Sequence, residues 1–124
     1  MQDEPTPTEL IKAVADFLRN EITPVIKGHN AFKLRVGINA LELVVRQIKL
    51  QQGSEAAEAA RLSKILGVEA SLRELNRVLA ERIAKGEVDL QTPDVAEHLW
   101  QTTMDKLAVD QPNYASYKRE LGES

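Results

Sequence analysis

The stretch that most restricts how this chain can fold is Ala31–Leu50, AFKLRVGINALELVVRQIKL. At roughly 100° per residue, Phe32, Leu34, Val36, Ile38, Ala40, Leu41, Leu43, Val44, Val45 and Ile48 cover most of a helical circumference. A helix that is apolar nearly all round is expected to be buried. One strip escapes this pattern: Arg35, Asn39, Glu42 and Arg46, at i, i+4, i+7 and i+11, with Lys49 beside them. Residues 31–50 are therefore predicted to form a central buried helix with a single charged seam.

Helix-start and helix-stop chemistry divides the rest. Thr6-Pro7-Thr8-Glu9 combines a threonine cap, proline at the first helical position and a carboxylate three residues on. Leu10, Val14, Phe17, Leu18, Ile22 and Val25 then recur at helical spacing, with Pro24 as a kink or stop and Gly28 as terminator. Asn30 is the expected cap of the central helix, and Gln51-Gln52-Gly53 its expected end. Gly37 inside it costs about 1 kcal/mol against alanine, which a close backbone approach would explain. Ser54 would cap an alanine-rich third helix ending at Gly67. Ser71-Leu72-Arg73-Glu74 is a second capping box, opening a fourth helix that stops at Gly86. After a connector over 87–91, Thr92-Pro93-Asp94 repeats the first cap and opens a fifth helix, with Val95, Leu99, Trp100, Met104 and Leu107 facing inward. Asp110-Gln111-Pro112-Asn113 breaks the chain before a short helix over Tyr114–Leu121.

No strand is convincing, and the short connections favour antiparallel neighbours. The expected fold is all-α: a single-domain bundle of about five helices plus a short C-terminal helix. Residues 1–5 form a loose start, 6–121 the helical core and 122–124 a tail. A chain of 124 residues suits one domain and can bury a core without staples.

Composition removes several function classes. The absence of cysteine excludes disulfides, thiolate metal sites and a cysteine nucleophile, and fits a reducing cytoplasm. No basic region leads into an apolar run, so no signal peptide is expected, and no apolar run nears the roughly 18 residues of a membrane span. A net charge of −3 with 4% aromatic residues argues against nucleic-acid binding. The helices that could serve as a helix-turn-helix mix Arg73, Arg77, Arg82 and Lys85 with Glu69, Glu74 and Glu81, which is poor phosphate footing.

Catalytic signatures are missing. There is no phosphate-cradling glycine loop, no HExxH, no GxSxG and no Glu-x-x-His pair for a di-iron site. His29 and His98 lie in separate segments, and each is read as structural rather than catalytic. The reading is a non-enzyme with no metal and no cofactor. The central seam is the best constellation. Arg35 and Arg46 can hold a carboxylate or phosphate, and Asn39 can donate and accept. Three readings of Arg35, Asn39, Glu42 and Arg46 stay open: a solvated strip held by i, i+4 pairs, an internal network, or a contact for a partner or anion. Asp110, Tyr114 and Tyr117 mark a second candidate docking surface. Homo-oligomerisation is also open, through the thin apolar side of the third helix.

The segments PTPTELIKAVADFLRNEITPVIKG, AFKLRVGINALELVVRQI, LNRVLAERIAKGE and LWQTTMDKLAVDQPNY together resemble a small all-helical bacterial family of unknown function. The resemblance runs from about Thr6 to Tyr114. It is carried above all by Phe32, Arg35, Val36, Asn39 and Ala40 and by LAVDQPNY, and the family pattern also has an arginine near Arg46. It departs at Ile83-Ala84-Lys85-Gly86, where the family often has Ile-Arg-x-Gly. Members tend to be encoded near acyl-CoA dehydrogenases and aminoglycoside-phosphotransferase-like kinases, which can phosphorylate hydroxyacyl-CoA thioesters. The resemblance thus implies a non-catalytic accessory subunit with a kinase-like phosphotransferase or acyl-CoA dehydrogenase as partner. A small-ligand module for an anion or CoA-type molecule is the alternative.

Overall fold

A computed structural model describes residues 4–122. The ends of the expected loose start and tail, residues 1–3 and 123–124, lie outside the described residues. The fold is all-α, with no strand among the described residues. Its α-helices are α1 (Pro7–Phe17), α2 (His29–Leu66), α3 (Leu72–Ala84), α4 (Val95–Asp110) and α5 (Ala115–Glu120). Contacts gather into two compact units, Met1–Leu50 and Gln51–Ser124.

In the first unit, α1 starts as its sequence predicts. Thr6 is extended, and its Oγ1 accepts the Glu9 N–H at 3.2 Å. The helix then loosens, earlier than expected, into a π turn over Leu18–Ile22 and a 3₁₀ turn over Thr23–Val25. Pro24 supplies no N–H to continue an α ladder. The Thr23 hydroxyl instead donates to the Leu18 carbonyl at 3.1 Å. Gly28, at φ +72°, turns the chain into α2.

Two expectations for residues 31–50 are overturned. First, the helix does not end at Gln51-Gln52-Gly53 but runs through to Leu66, so the expected central and third helices are one element of 38 residues. Gln51 Nε2 donates to Glu55 Oε1 at 2.8 Å across the expected break. Gly53 tolerates helical φ as readily as any residue, and Ala56, Ala57, Ala59 and Ala60 after it are the best helix formers. Second, the segment is not buried all round. Ile38 and Val45 are buried, whereas Phe32 and Val36 are 55% and 52% exposed. In a two-helix unit only one stripe of α2 can face α1, where Ala15 is buried. Leu34, Leu41 and Leu43 are half-buried, and Phe32, Val36, Val44 and Ile48 stay exposed. No close backbone approach accounts for Gly37 either, since a Cβ there would meet nothing within 4 Å.

The second unit holds a true core. Leu62 and Leu66 of α2, Leu75 and Leu79 of α3, Val88 of the connector and Val95 of α4 form one buried cluster. Burial of each leucine or valine contributes roughly 1.5–3 kcal/mol. Helix ends are closed around it. The Gly67 N–H donates to the Ser63 carbonyl at 2.8 Å with φ +71°, and Arg82 Nη1 donates to the terminal Leu66 carbonyl at 3.1 Å. Ser71 caps α3 through the Glu74 N–H at 3.2 Å. The α3 exit is a Schellman motif, with Glu87 N–H donating to the Arg82 carbonyl and Gly86 N–H to that of Ile83.

The α4 start differs from the predicted proline-led cap. Asp89 Oδ1 accepts the N–H groups of Gln91 at 2.8 Å and Thr92 at 3.1 Å, and Thr92 Oγ1 accepts the Asp89 N–H. The threonine hydroxyl is thus used inside the turn, and α4 begins only after Asp94, which is left-handed at φ 70°. Leu99 and Trp100 do not fill the core as expected, and Trp100 is 49% exposed. The buried positions of α4 are Val95, His98 and Val109.

Gly53 lies in a helix interior with open space where a Cβ would stand. Gly53→Ala is expected to raise the unfolding free energy by about 0.5–1 kcal/mol, read as a higher midpoint in urea titration. An unchanged or lower midpoint would contradict a continuous helix at this position.

Candidate functional site

The four seam residues do occupy one flank of α2 in the first unit. Arg35 and Asn39 are exposed, while Glu42 and Arg46 are half-buried. Glu42 is ion-paired with Arg19, which reaches it from the π turn after α1. Arg19 thus joins Arg35 and Arg46 on this flank. At roughly 100° per residue, Phe32, Val36 and Leu43 border it on the side away from α1. Arg19 had no signal in the sequence as a seam residue. It is 23 positions from Glu42, and the π turn that aims it is set by Pro24 rather than by apolar spacing.

The second candidate surface lies in the other unit. Asp110 is the last residue of α4 and exposed, Tyr114 is an exposed extended residue before α5, and Tyr117 is half-buried on α5. The chain turns between them through Tyr114 N–H donating to the Gln111 carbonyl at 3.1 Å. His29, at the start of α2, stacks on Phe32 with ring centroids 6.2 Å apart. Among the described residues, no three His, Asp or Glu side chains gather as metal ligands would, and no helix is long and apolar enough to cross a membrane.

The most buried polar constellation is one that sequence spacing did not assemble. His98 is only 2% exposed. Its Nδ1 accepts the Arg61 Nε–H at 3.1 Å, and Arg61 Nη2 donates to Thr102 Oγ1 at 3.2 Å. Nearby, Asn76 Nδ2 donates to Glu58 Oε2 at 3.0 Å. A guanidinium is always a donor, so this geometry makes His98 a neutral imidazole with its proton on Nε2. Burial pushes its pKa below the ordinary histidine value of 6.5, and the Arg61 charge adds to this, while Glu58 opposes it. With Nδ1 occupied and the ring enclosed, the arrangement ties α2 to α4. Its chemistry is that of a structural histidine, fully rather than partly buried.

Two outcomes follow from this tie. Arg61→Ala leaves the buried His98 Nδ1 acceptor without its donor and is expected to cost about 1–3 kcal/mol. Because the folded-state pKa of His98 is depressed, the unfolded chain binds more protons once the pH falls below about 6.5, the ordinary histidine value. Stability contributed by the neutral ring is complete above that pH and declines as the pH drops toward the folded value. Urea midpoints measured from pH 7.5 to 5.0 should fall more steeply for the wild type than for His98→Asn, which keeps an acceptor near Nδ1 and does not titrate. Parallel slopes would show that His98 is not held neutral.

A family model described as a domain of unknown function, DUF6285, matches residues 24–114. No curated protein and no solved structure matches the chain.

Proposed function

The chain belongs to the DUF6285 family, a domain of unknown function, and from that premise we propose that it works by association, as a non-catalytic accessory subunit in the bacterial cytoplasm. The observation that carries this reading is the outer flank of α2. Exposed Phe32 and Val36 stand beside the guanidinium-rich seam. Apolar anchors next to arginine are the side chains that dominate protein interfaces. The partner is an acidic, partly apolar segment of a kinase-like phosphotransferase or an acyl-CoA dehydrogenase, the classes that the family resemblance brings with it. Asp110, Tyr114 and Tyr117 form the secondary contact.

A second reading draws on the charge of the seam. Arg35, exposed on this flank, supplies planar donors suited to a phosphate or carboxylate, with Arg46 on the same strip, so an anion or CoA-type ligand is the alternative occupant. The two readings separate in one pair of measurements. In a pull-down from native lysate, wild-type chain should retain a stoichiometric phosphotransferase or dehydrogenase. Arg35→Glu/Arg46→Glu, with unchanged circular dichroism, should retain at least tenfold less. Equal retention would remove the seam from the interface. In thermal-shift measurements with acyl-CoAs and nucleotides, a ligand at about 100 times its Kd would add roughly 2.7 kcal/mol. Shifts that are equal in Arg35→Ala/Arg46→Ala would exclude the arginine clamp.

A further inference from the structure

Between Val45 and Leu62, sixteen residues of α2 pass without one that is buried. Within them every residue from Gln47 to Gly53 is exposed. Seven residues make nearly two full turns, so no side of the helix is buried there. Most of a helix's stability in a protein comes from packing an apolar face, and a free helix of this length is marginal. This piece of α2 therefore draws little from burial. The Gln51–Glu55 bond that crosses it is exposed, an i, i+4 contact of the weak kind.

Its weakest position is Gly53, because glycine loses more conformational freedom in a helix than any other residue. No packing asks for glycine here, since a Cβ would meet nothing within 4 Å. Ser54 follows, and from Ala56 to Ala60 the strong helix formers return. Gly53 and Ser54 are also, in order, the parts of a helix stop and a helix start. Glycine accepts the left-handed turn that ends a helix, as Gly67 and Gly86 do in this chain at φ +71° and +75°. Serine is a preferred N-cap, as Ser71 is for α3. Glu55 would then stand in the first turn after the cap, where an acid is favourable. The boundary between the two compact units falls between Leu50 and Gln51, just before this pair.

We propose that Gly53 and Ser54 are a hinge at which α2 exchanges between the continuous helix and a broken form. In the broken form Gly53 turns left-handed and ends one helix, while Ser54 takes an extended backbone and caps the next. The change is confined between two buried sets, Ile38 and Val45 before it and Leu62 and Leu66 after it. The backbone groups it releases lie in the exposed stretch, where water satisfies them. Hinges are commonly a few residues that absorb a large φ/ψ change in this way. A molecule that binds one form better shifts the balance between the two, so the joint is a point at which binding is regulated. It does not rest on the accessory-subunit reading, because it uses residues of α2 outside the seam.

The chain has no cysteine, so spin labels can be attached to the full chain at Lys33→Cys and Ala60→Cys, two exposed positions of α2. A continuous helix sets their backbones about 40 Å apart at 1.5 Å per residue. Pulsed double electron–electron resonance should give two distances in this background, one near that value and one shorter by several ångströms. Gly53→Ala, which resists the left-handed turn, should give only the long distance. Glu55→Pro suits the first helical position behind a cap and disrupts a helix interior. It should give only the short distance and keep its helical circular dichroism. On the unlabelled chain, amides of residues 50–57 should exchange with deuterium at least tenfold faster than those of 62–66, and several-fold more slowly once Gly53→Ala is made. A long distance alone in the labelled parent, a short distance that persists unchanged in Gly53→Ala, or a Glu55→Pro chain that unfolds would each overturn the hinge. Equal amide protection over 50–57 and 62–66 would overturn it too.

Discussion

An α-helix that is apolar around most of its circumference needs more than one neighbour, and α2 meets that requirement in only one of its halves. Residues 51–66 have α3, the 87–91 connector and α4 to pack against, and Leu62 is fully enclosed there. Within their own unit, residues 29–50 have, among the described residues, the short α1 and the turns over 18–25. The more hydrophobic half of the helix is therefore the less buried one. Each uncovered aliphatic or aromatic side chain forgoes on the order of 1–3 kcal/mol of transfer free energy.

Polar interactions divide by burial rather than by number. The busiest ion pairs surround Arg77, which donates to Glu74 and Glu81 and through those bonds holds both carboxyls below the usual carboxylate range. They are exposed, and exposed pairs of this kind contribute little to stability. Arg61 makes fewer bonds, but one ends on a nearly inaccessible imidazole. Loss of that donor leaves a buried acceptor unpaired. A single arginine between α2 and α4 thus matters more to the fold of the second unit than the longer surface network on α3.

Helix chemistry was largely legible along the chain. The Thr6 and Ser71 caps, the glycine stops at Gly28, Gly67 and Gly86, and the all-α class all follow from local rules. The boundaries that differ from expectation have local causes too. Gly53 sits where a terminator is expected, yet a glycine ends a helix in this way only where the backbone takes up a left-handed turn, as at Gly67. Thr92 and Pro93 matched a cap pattern, but Asp89 claimed the threonine first. The seam of Arg35, Asn39, Glu42 and Arg46 could be found because helical spacing places it on one strip. Arg19 could not, and neither could Arg61 with His98 and Thr102, because each of these contacts joins separate elements.

What the sequence determined by itself is the kind of element each segment forms, since caps, stops and helical propensity act within a few residues. Which apolar residues are buried was decided only by tertiary structure. Burial depends on how many neighbours an element finds, and periodicity along one helix carries no information about that number. The same residues that predict a buried central helix therefore build, in the folded chain, a half-covered helix that leaves Phe32, Val36, Val44 and Ile48 exposed.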